Sequence, residues 1–282
     1  MTTALSQHAK PQSQPTGEVR PAPDDRLTVA SIALLAFVLT DVFQQTVGHA
    51  LPALVTISPF GMLTAAGWSS AYDNRLIDSG GMLANFATAL LAVLGLMLMK
   101  RSAPRASFFL ALVCAFSLFA GAGYLVFAGL TDFGDWYSLL QGHSSWDPLR
   151  IVLLLSGALL WIASLFIVGS WLRRRSGPGS QRRRVASLTF VAWLSLVVLA
   201  AVAAAVNRLG IRFILLSDFP ATVFAQIGLL FVPLCIARGS SRAQDLSEPI
   251  TRSWSWIAAS AVTTSAFLAV LGRGIALHGN VP

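Results

Sequence analysis

The chain has 282 residues, of which 55% are hydrophobic and only 11% charged. An ordinary soluble domain carries about 25% charged residues, so there is too little polar surface here to coat a water-facing globule, and a bilayer is the medium that accepts apolar side chains facing outward. The net charge of +8 would point to nucleic acid in a soluble protein, but these basic residues sit in short segments between apolar runs and read as topology signals, with no nucleic-acid partner.

Residues 1–26 hold no apolar core and are rich in Pro, Gln, Ser and Thr. They do not form a cleaved signal peptide and are expected to be a disordered cytoplasmic tail. The first apolar run then acts as an uncleaved signal anchor. Runs long enough to cross a bilayer, which takes about 20 residues, follow at 27–51, 79–99, 107–130, 149–172, 185–207, 213–237 and 254–275. The pattern predicts an all-α fold: one transmembrane helix bundle over 27–282, with about seven spans.

The connections between these runs alternate in charge. One set holds Lys10, Arg20 and Arg26; Lys100, Arg101 and Arg105; Arg173, Arg174, Arg175, Arg182, Arg183 and Arg184; and Arg238, Arg242 and Arg252. The other set holds only Arg75, Arg150, Arg208 with Arg212, and Arg273. The positive-inside rule then puts the N-terminus in the cytoplasm and the C-terminus outside, in a multi-pass plasma (inner) membrane protein. The six arginines from Arg173 to Arg184 are also expected to contact anionic lipids. Only two lysines occur, Lys10 and Lys100, against many arginines, a bias that suits a GC-rich bacterial genome. Cys114 and Cys235 fall inside apolar runs and read as packing residues, since a disulfide needs an oxidising aqueous compartment. Ala120 to Gly123 and Ala200 to Ala205 mark places where helix backbones approach closely. Trp161 and Trp193 sit deep in their runs and pack between helices, whereas the other tryptophans lie near run ends, where indoles favour the headgroup layer.

Strongly polar groups inside lipid are costly and are functional candidates by default. In the first run Asp41, Gln44, Gln45, Gly48 and His49 recur at spacings of three and four, which places them on one helix face. Asp41 and His49 are about 12 Å apart along the axis, with Gln45 between them. This stripe is expected to face the bundle interior or a wet cavity, with Asn85 of the second run beside it.

The segment Gln45-Thr46-Val47-Gly48-His49-Ala50-Leu51 resembles a decayed form of the first-helix zinc motif of site-2-type intramembrane metalloproteases, which reads H-E-x-G-H-A. The stretch Arg75 to Asn85 resembles the glycine-then-asparagine segment that opens the next helix in that family. The likeness covers about the first half of the chain. It implies the fold of such a protease with its chemistry lost, because Gln45 replaces the first histidine and Thr46 the glutamate. Zinc proteolysis needs two histidines on one helix face with a glutamate as general base, and the only glutamates here are Glu18 and Glu248. No cofactor or metal is therefore expected, and no catalytic residue is assigned. The resemblance implies a fold that binds or scaffolds another membrane component, with the Asp41/Gln44/Gln45/His49 stripe and Asn85 as its candidate surface; the alternative is a small-solute transporter or permease using the same stripe with Arg212 and Asp218.

Two connections form further candidates. Asp132, Asp135, Trp136, His143, Trp146, Asp147 and Arg150 fall within one outer connection, which reads as a solvated acidic loop, with a weak cation site as the alternative; Asp147 and Arg150 can pair at the helix start. Asn207, Arg208, Arg212 and Asp218 surround the turn between the fifth and sixth runs, where they read first as interfacial anchors, with an Arg212–Asp218 ion pair lining a cavity as the alternative.

Overall fold

The computed structural model describes residues 23–56, 61–70, 75–99, 103–131, 136, 148–175, 181–208, 219–236 and 248–277. Among the described residues seven helices follow one another: α1 (Arg26–Val55), α2 (Arg75–Leu98), α3 (Pro104–Leu130), α4 (Pro148–Arg175), α5 (Gln181–Val206), α6 (Phe219–Cys235) and α7 (Trp254–Gly272). All but α6 are long and apolar enough to cross a membrane. Leu90, Leu91, Met97, Leu159 and Phe166 stand exposed on their outward faces, where lipid is the medium that accepts them. This is a helical bundle of multi-pass membrane type.

Both α4 and α5 run further into the arginine-rich connection than the apolar pattern alone marks, as far as Arg175 and from Gln181. Arginine is a good helix former, so the helices continue past the apolar run. The sixth helix is expected from residue 213; its described part begins at Phe219. It is also interrupted, passing through a turn at Ile227 and a 3-10 segment at Val232–Cys235.

At the core, α1 packs on α2, α3, α5 and α7, and α6 is wedged among α3, α4 and α5. Phe37 of α1 meets Phe116 of α3 edge-on, with ring centroids 5.8 Å apart. The glycines of α3 admit close neighbours: a Cβ at Gly123 would lie 2.7 Å from Ala225 Cα, and one at Gly121 would press on the Phe86 ring.

The starts of α1, α3, α5 and α7 meet at one end of the bundle. There the Asp25 carboxylate caps α1, accepting the Thr28 N–H at 2.9 Å and the Thr28 hydroxyl at 2.8 Å. The Thr28 oxygen in turn accepts the Ser253 N–H just before α7. The Thr28 amide above all, then its hydroxyl and the Arg252 guanidinium, hold the Asp25 carboxyl below its ordinary 3.8. This cap is therefore at full strength above that pH and is lost as acid protonates the group. Asp24 accepts two charge-assisted bonds from Arg184 at the start of α5, both at 2.7 Å, and the Ile250 N–H at 2.8 Å. Arg105 at the start of α3 binds the Thr251 carbonyl and hydroxyl. Asp24 and Asp25, counted with the tail in the sequence, thus belong to the bundle.

The opposite end carries an element the sequence pattern does not reveal. Strands β1 (Gly61–Thr64), β2 (Gly67–Ser70) and β3 (Ile275–Leu277) form an antiparallel sheet in the order β2-β1-β3. Gly67, at φ 133°, closes the tight β1–β2 turn, a conformation glycine adopts without steric cost. The seventh helix, expected to reach residue 275, stops at Gly272, and Gly274 at φ 88° turns the chain into β3. The hairpin tip is tied back to α7 where the Ala65 N–H donates to the Leu271 carbonyl at 2.8 Å. In register, Met62 faces Ala276.

The Asp24–Arg184 pair is largely shielded, with side chains 14% and 19% exposed. Its bonds are charge-assisted, so Asp24→Ala and Arg184→Ala are each expected to cost about 1–3 kcal/mol. Thermal unfolding of the two single variants and the double variant checks this: the double should lose no more than the worse single, whereas additive losses would mean the pair is not coupled.

Candidate functional site

The polar stripe of α1 is built on a change of helix type. The segment Gln44–Ala50 is π-helical, with Gln44, Gln45, Gly48 and His49 all buried. Such short π segments inside α-helices recur at functional sites. They widen the turn, and here this turns two adjacent pairs of side chains inward together. Asp41, one turn earlier, is half-buried.

This segment faces α2 across a glycine contact. A Cβ at Gly48 would lie 2.6 Å from Gly81 Cα, and one at Gly80 would overlap the Gly48 carbonyl oxygen. With the backbones this close, side chains bond across the pair. Asn85 Nδ2 donates to Gln44 Oε1 at 2.9 Å. His49 Nδ1 lies 2.9 Å from the Ile77 carbonyl oxygen, which only accepts, so Nδ1 carries the proton. Gln45 is 2% exposed, and its Oε1 has no hydrogen-bond partner among the described residues. Thr46 donates to the Val42 carbonyl of its own helix at 2.6 Å. The structure thus brings Asp41, Gln44, Gln45, His49 and Asn85 to one interface inside the bundle.

Three residues outside the sequence-derived set join them. Gln226, at the break in α6, is 2% exposed and donates its Nε2 to the Phe116 carbonyl at 2.8 Å. Together with Tyr124 and Thr222 it lines a small cavity against Asp41, Gln44 and Asn85. The turn at Ile227 interrupts the regular ladder, and the Ala225 carbonyl accepts the Trp161 indole N–H at 3.1 Å. A lone glutamine in an apolar run is the same signal that singles out Gln44 and Gln45, so Gln226 was within reach of sequence reasoning.

The loop candidates are spread differently. Arg150 is buried in the first turn of α4, at 8% exposure. Asp132, Asp135, Asp147, Arg212 and Asp218 lie outside the described residues, as does any pairing through them. Among the described residues, no three His, Cys, Asp or Glu side chains converge as metal ligands. Of the arginine patch, Arg184 is engaged with Asp24, while Arg173 and Arg182 are partly exposed and Arg183 is exposed.

No protein-family model, curated protein or solved structure matches this chain.

Glycine substitutions test the α1–α2 contact. Gly80→Ala forces backbone apart and is expected to cost about 1–3 kcal/mol, the range for overpacking. Gly169→Ala is expected to change little, because its Cβ would meet nothing nearer than Cys235 Cβ at 3.5 Å. Equal melting temperatures for the two variants would contradict the close approach.

Proposed function

We propose that this chain is a seven-span plasma-membrane protein that binds another membrane protein through the outward face of α7. In this reading it keeps the first helix pair of a site-2-protease-like fold as architecture, without proteolytic chemistry. The observation that carries the binding role is the composition of α7. Its exposed side chains include Ser255, Ala258, Ala259, Thr263, Ser265 and Ala266 beside the larger Trp254, Val262 and Val270, whereas α2 exposes mainly large ones, among them Leu83, Leu90, Leu91, Leu94, Met97 and Leu98. Lipid-facing surfaces favour large apolar side chains. Small residues and hydroxyls mark helix–helix contacts, because they let backbones approach and hydrogen-bond.

Two further observations support the remaining parts. The β1–β3 pairing sets the end of α1 and the end of α7 on one side, so an even number of crossings separates them. If α2, α3, α4, α5 and α7 each cross, this parity favours α6 as the sixth crossing and so supports a count of seven spans. The basic side chains Arg105, Arg184 and Arg252 gather at the opposite end, which favours a cytoplasmic N-terminus. At that end Arg173, Arg182 and Arg183 are the candidates for anionic lipid headgroups. As for the lost chemistry, His49 and Asn85 bond between α1 and α2, where they serve helix pairing.

A transporter reading is favoured by one feature: two small cavities share Asp41 as a wall.

A photo-crosslinking side chain at Thr263, compared with one at Leu90, separates partner from lipid in native membranes. The expected result is one discrete protein adduct from position 263 and lipid adducts alone from position 90. Lipid adducts alone from both would remove α7 as a binding surface.

A further inference from the structure

The starts of α1, α3 and α7 lie together at the basic end of the bundle, at the depth where their apolar runs give way to charge. Arginines at such ends ordinarily serve to set topology. Two of them are held in a particular way. Arg105, in the first turn of α3, donates Nε to the Thr251 carbonyl at 3.2 Å and Nη2 to the Thr251 hydroxyl. Arg252, the next residue, donates Nε to the Asp25 carboxylate at 3.1 Å. Its guanidinium also lies 5.7 Å from the centre of the Trp254 ring, a cation–π distance.

A guanidinium carries more N–H donors than these bonds use. Nη1 of Arg105 and both Nη groups of Arg252 remain for a ligand, and the Arg252 side chain stays 56% exposed. Ordering a long side chain opposes binding, and here the fold has already fixed both. The surrounding charge is unequal. Asp24 is engaged with Arg184. Arg26, next to Asp25 in the chain, is exposed. Against Arg26, Arg105 and Arg252 stand Asp25 and Glu248 among the described residues, so the seam is net positive. The adjoining surface is aromatic. Phe109, one turn along α3 from Arg105, meets Trp256 of α7 with ring centroids 5.6 Å apart. Trp254 is 69% exposed, and indole rings favour the headgroup layer.

We propose that this seam between α3 and α7 binds one anionic phospholipid. Its phosphate takes the remaining N–H groups of Arg105 and Arg252, and its glycerol and upper acyl chains lie against Trp254, Phe109 and Trp256. Guanidinium N–H groups match phosphate oxygens in charge and geometry. A zwitterionic lipid carries its own cation beside the phosphate and gains less from a positive seam. Arg183, exposed at the start of α5, attracts the same headgroups by charge alone and serves as the comparison. The site does not rest on the outward face of α7 binding a protein: the adduct at Thr263 and the lipid preference at this seam are separate readouts.

The test is native mass spectrometry of the full-length protein released from detergent, with phosphatidylglycerol, phosphatidylcholine of the same acyl chains, or glycerol phosphate added. One phosphatidylglycerol is expected to be held about tenfold more tightly than phosphatidylcholine, and glycerol phosphate is expected not to displace it. Arg105→Gln and Arg252→Gln are each expected to abolish this preference, and Arg183→Gln to leave it unchanged. A purely structural role for the two arginines would lower Tm in their variants and leave the preference between lipids intact. Equal binding of the two lipids by the wild type would overturn the proposal. Displacement by glycerol phosphate would too, since the site would then read free phosphate. So would a loss in Arg183→Gln as large as in Arg252→Gln, the mark of diffuse attraction by net charge. Should Arg105→Gln fail to fold, the wild-type comparison and Arg252→Gln still decide, and an unchanged preference in Arg252→Gln would reject the site.

Discussion

The backbone contact between Gly48 and the Gly80-Gly81 pair is the constraint on which the interior depends. Lipid tails are as apolar as leucine, so helices in a bilayer gain little from hiding apolar surface from one another. Close van der Waals fit and hydrogen bonds across the interface must hold them instead. The glycine contact supplies the fit, and its closeness brings Asn85 to Gln44 and His49 to the Ile77 carbonyl. The π segment of α1 belongs to the same arrangement, because it turns the two glutamines, Gly48 and His49 inward together. From this seam α1 extends to contacts with α3, α5 and α7, so a displaced first helix would loosen most of the bundle.

The two ends of the bundle are closed by different chemistry. One end is a polar clasp in which Asp24, Asp25 and Thr28 bind Arg184, Arg252 and the backbone ahead of α7. The other end is a backbone clasp, where a three-stranded sheet joins the segment after α1 to the segment after α7. Both clasps join the first and last helices, which also pack directly on each other. Being so little buried, α7 relies on α1 and these two ties. That leaves an outward surface, rich in small and hydroxyl side chains but with Trp254, Val262 and Val270 among them, that no helix of this chain covers among the described residues.

Most of the helical frame was legible in the sequence, because runs of about 20 apolar residues have few other uses. The interior stripe was legible too, since Asp41, Gln44, Gln45 and His49 stand out against an apolar background. What escaped was what depends on distant partners or on fine backbone choice. The strands are three or four residues long, and β1 finds β3 only after more than 200 intervening residues. A π segment differs from an α segment in its hydrogen-bond spacing and not in composition, so Gln44–Ala50 carries no separate signal. The break in α6 had a trace, with Gly228 and Pro233 inside an apolar run, but neither residue alone ends a membrane helix. Asp24 and Asp25 looked like tail because their partners, Arg184 and Arg252, lie far along the chain.

If β1 and β3 pair, the end of α1 and the end of α7 lie on one side of the membrane. A cysteine pair at Met62 and Ala276, in a background lacking Cys114 and Cys235, tests this directly. These positions face each other in the β1–β3 register, and directly opposed strand residues stand close enough for a disulfide. Rapid crosslinking, blocked in intact cells by a membrane-impermeant thiol reagent, is the result this architecture predicts. Absence of the crosslink, or protection of the pair from the reagent until the membrane is opened, would contradict it.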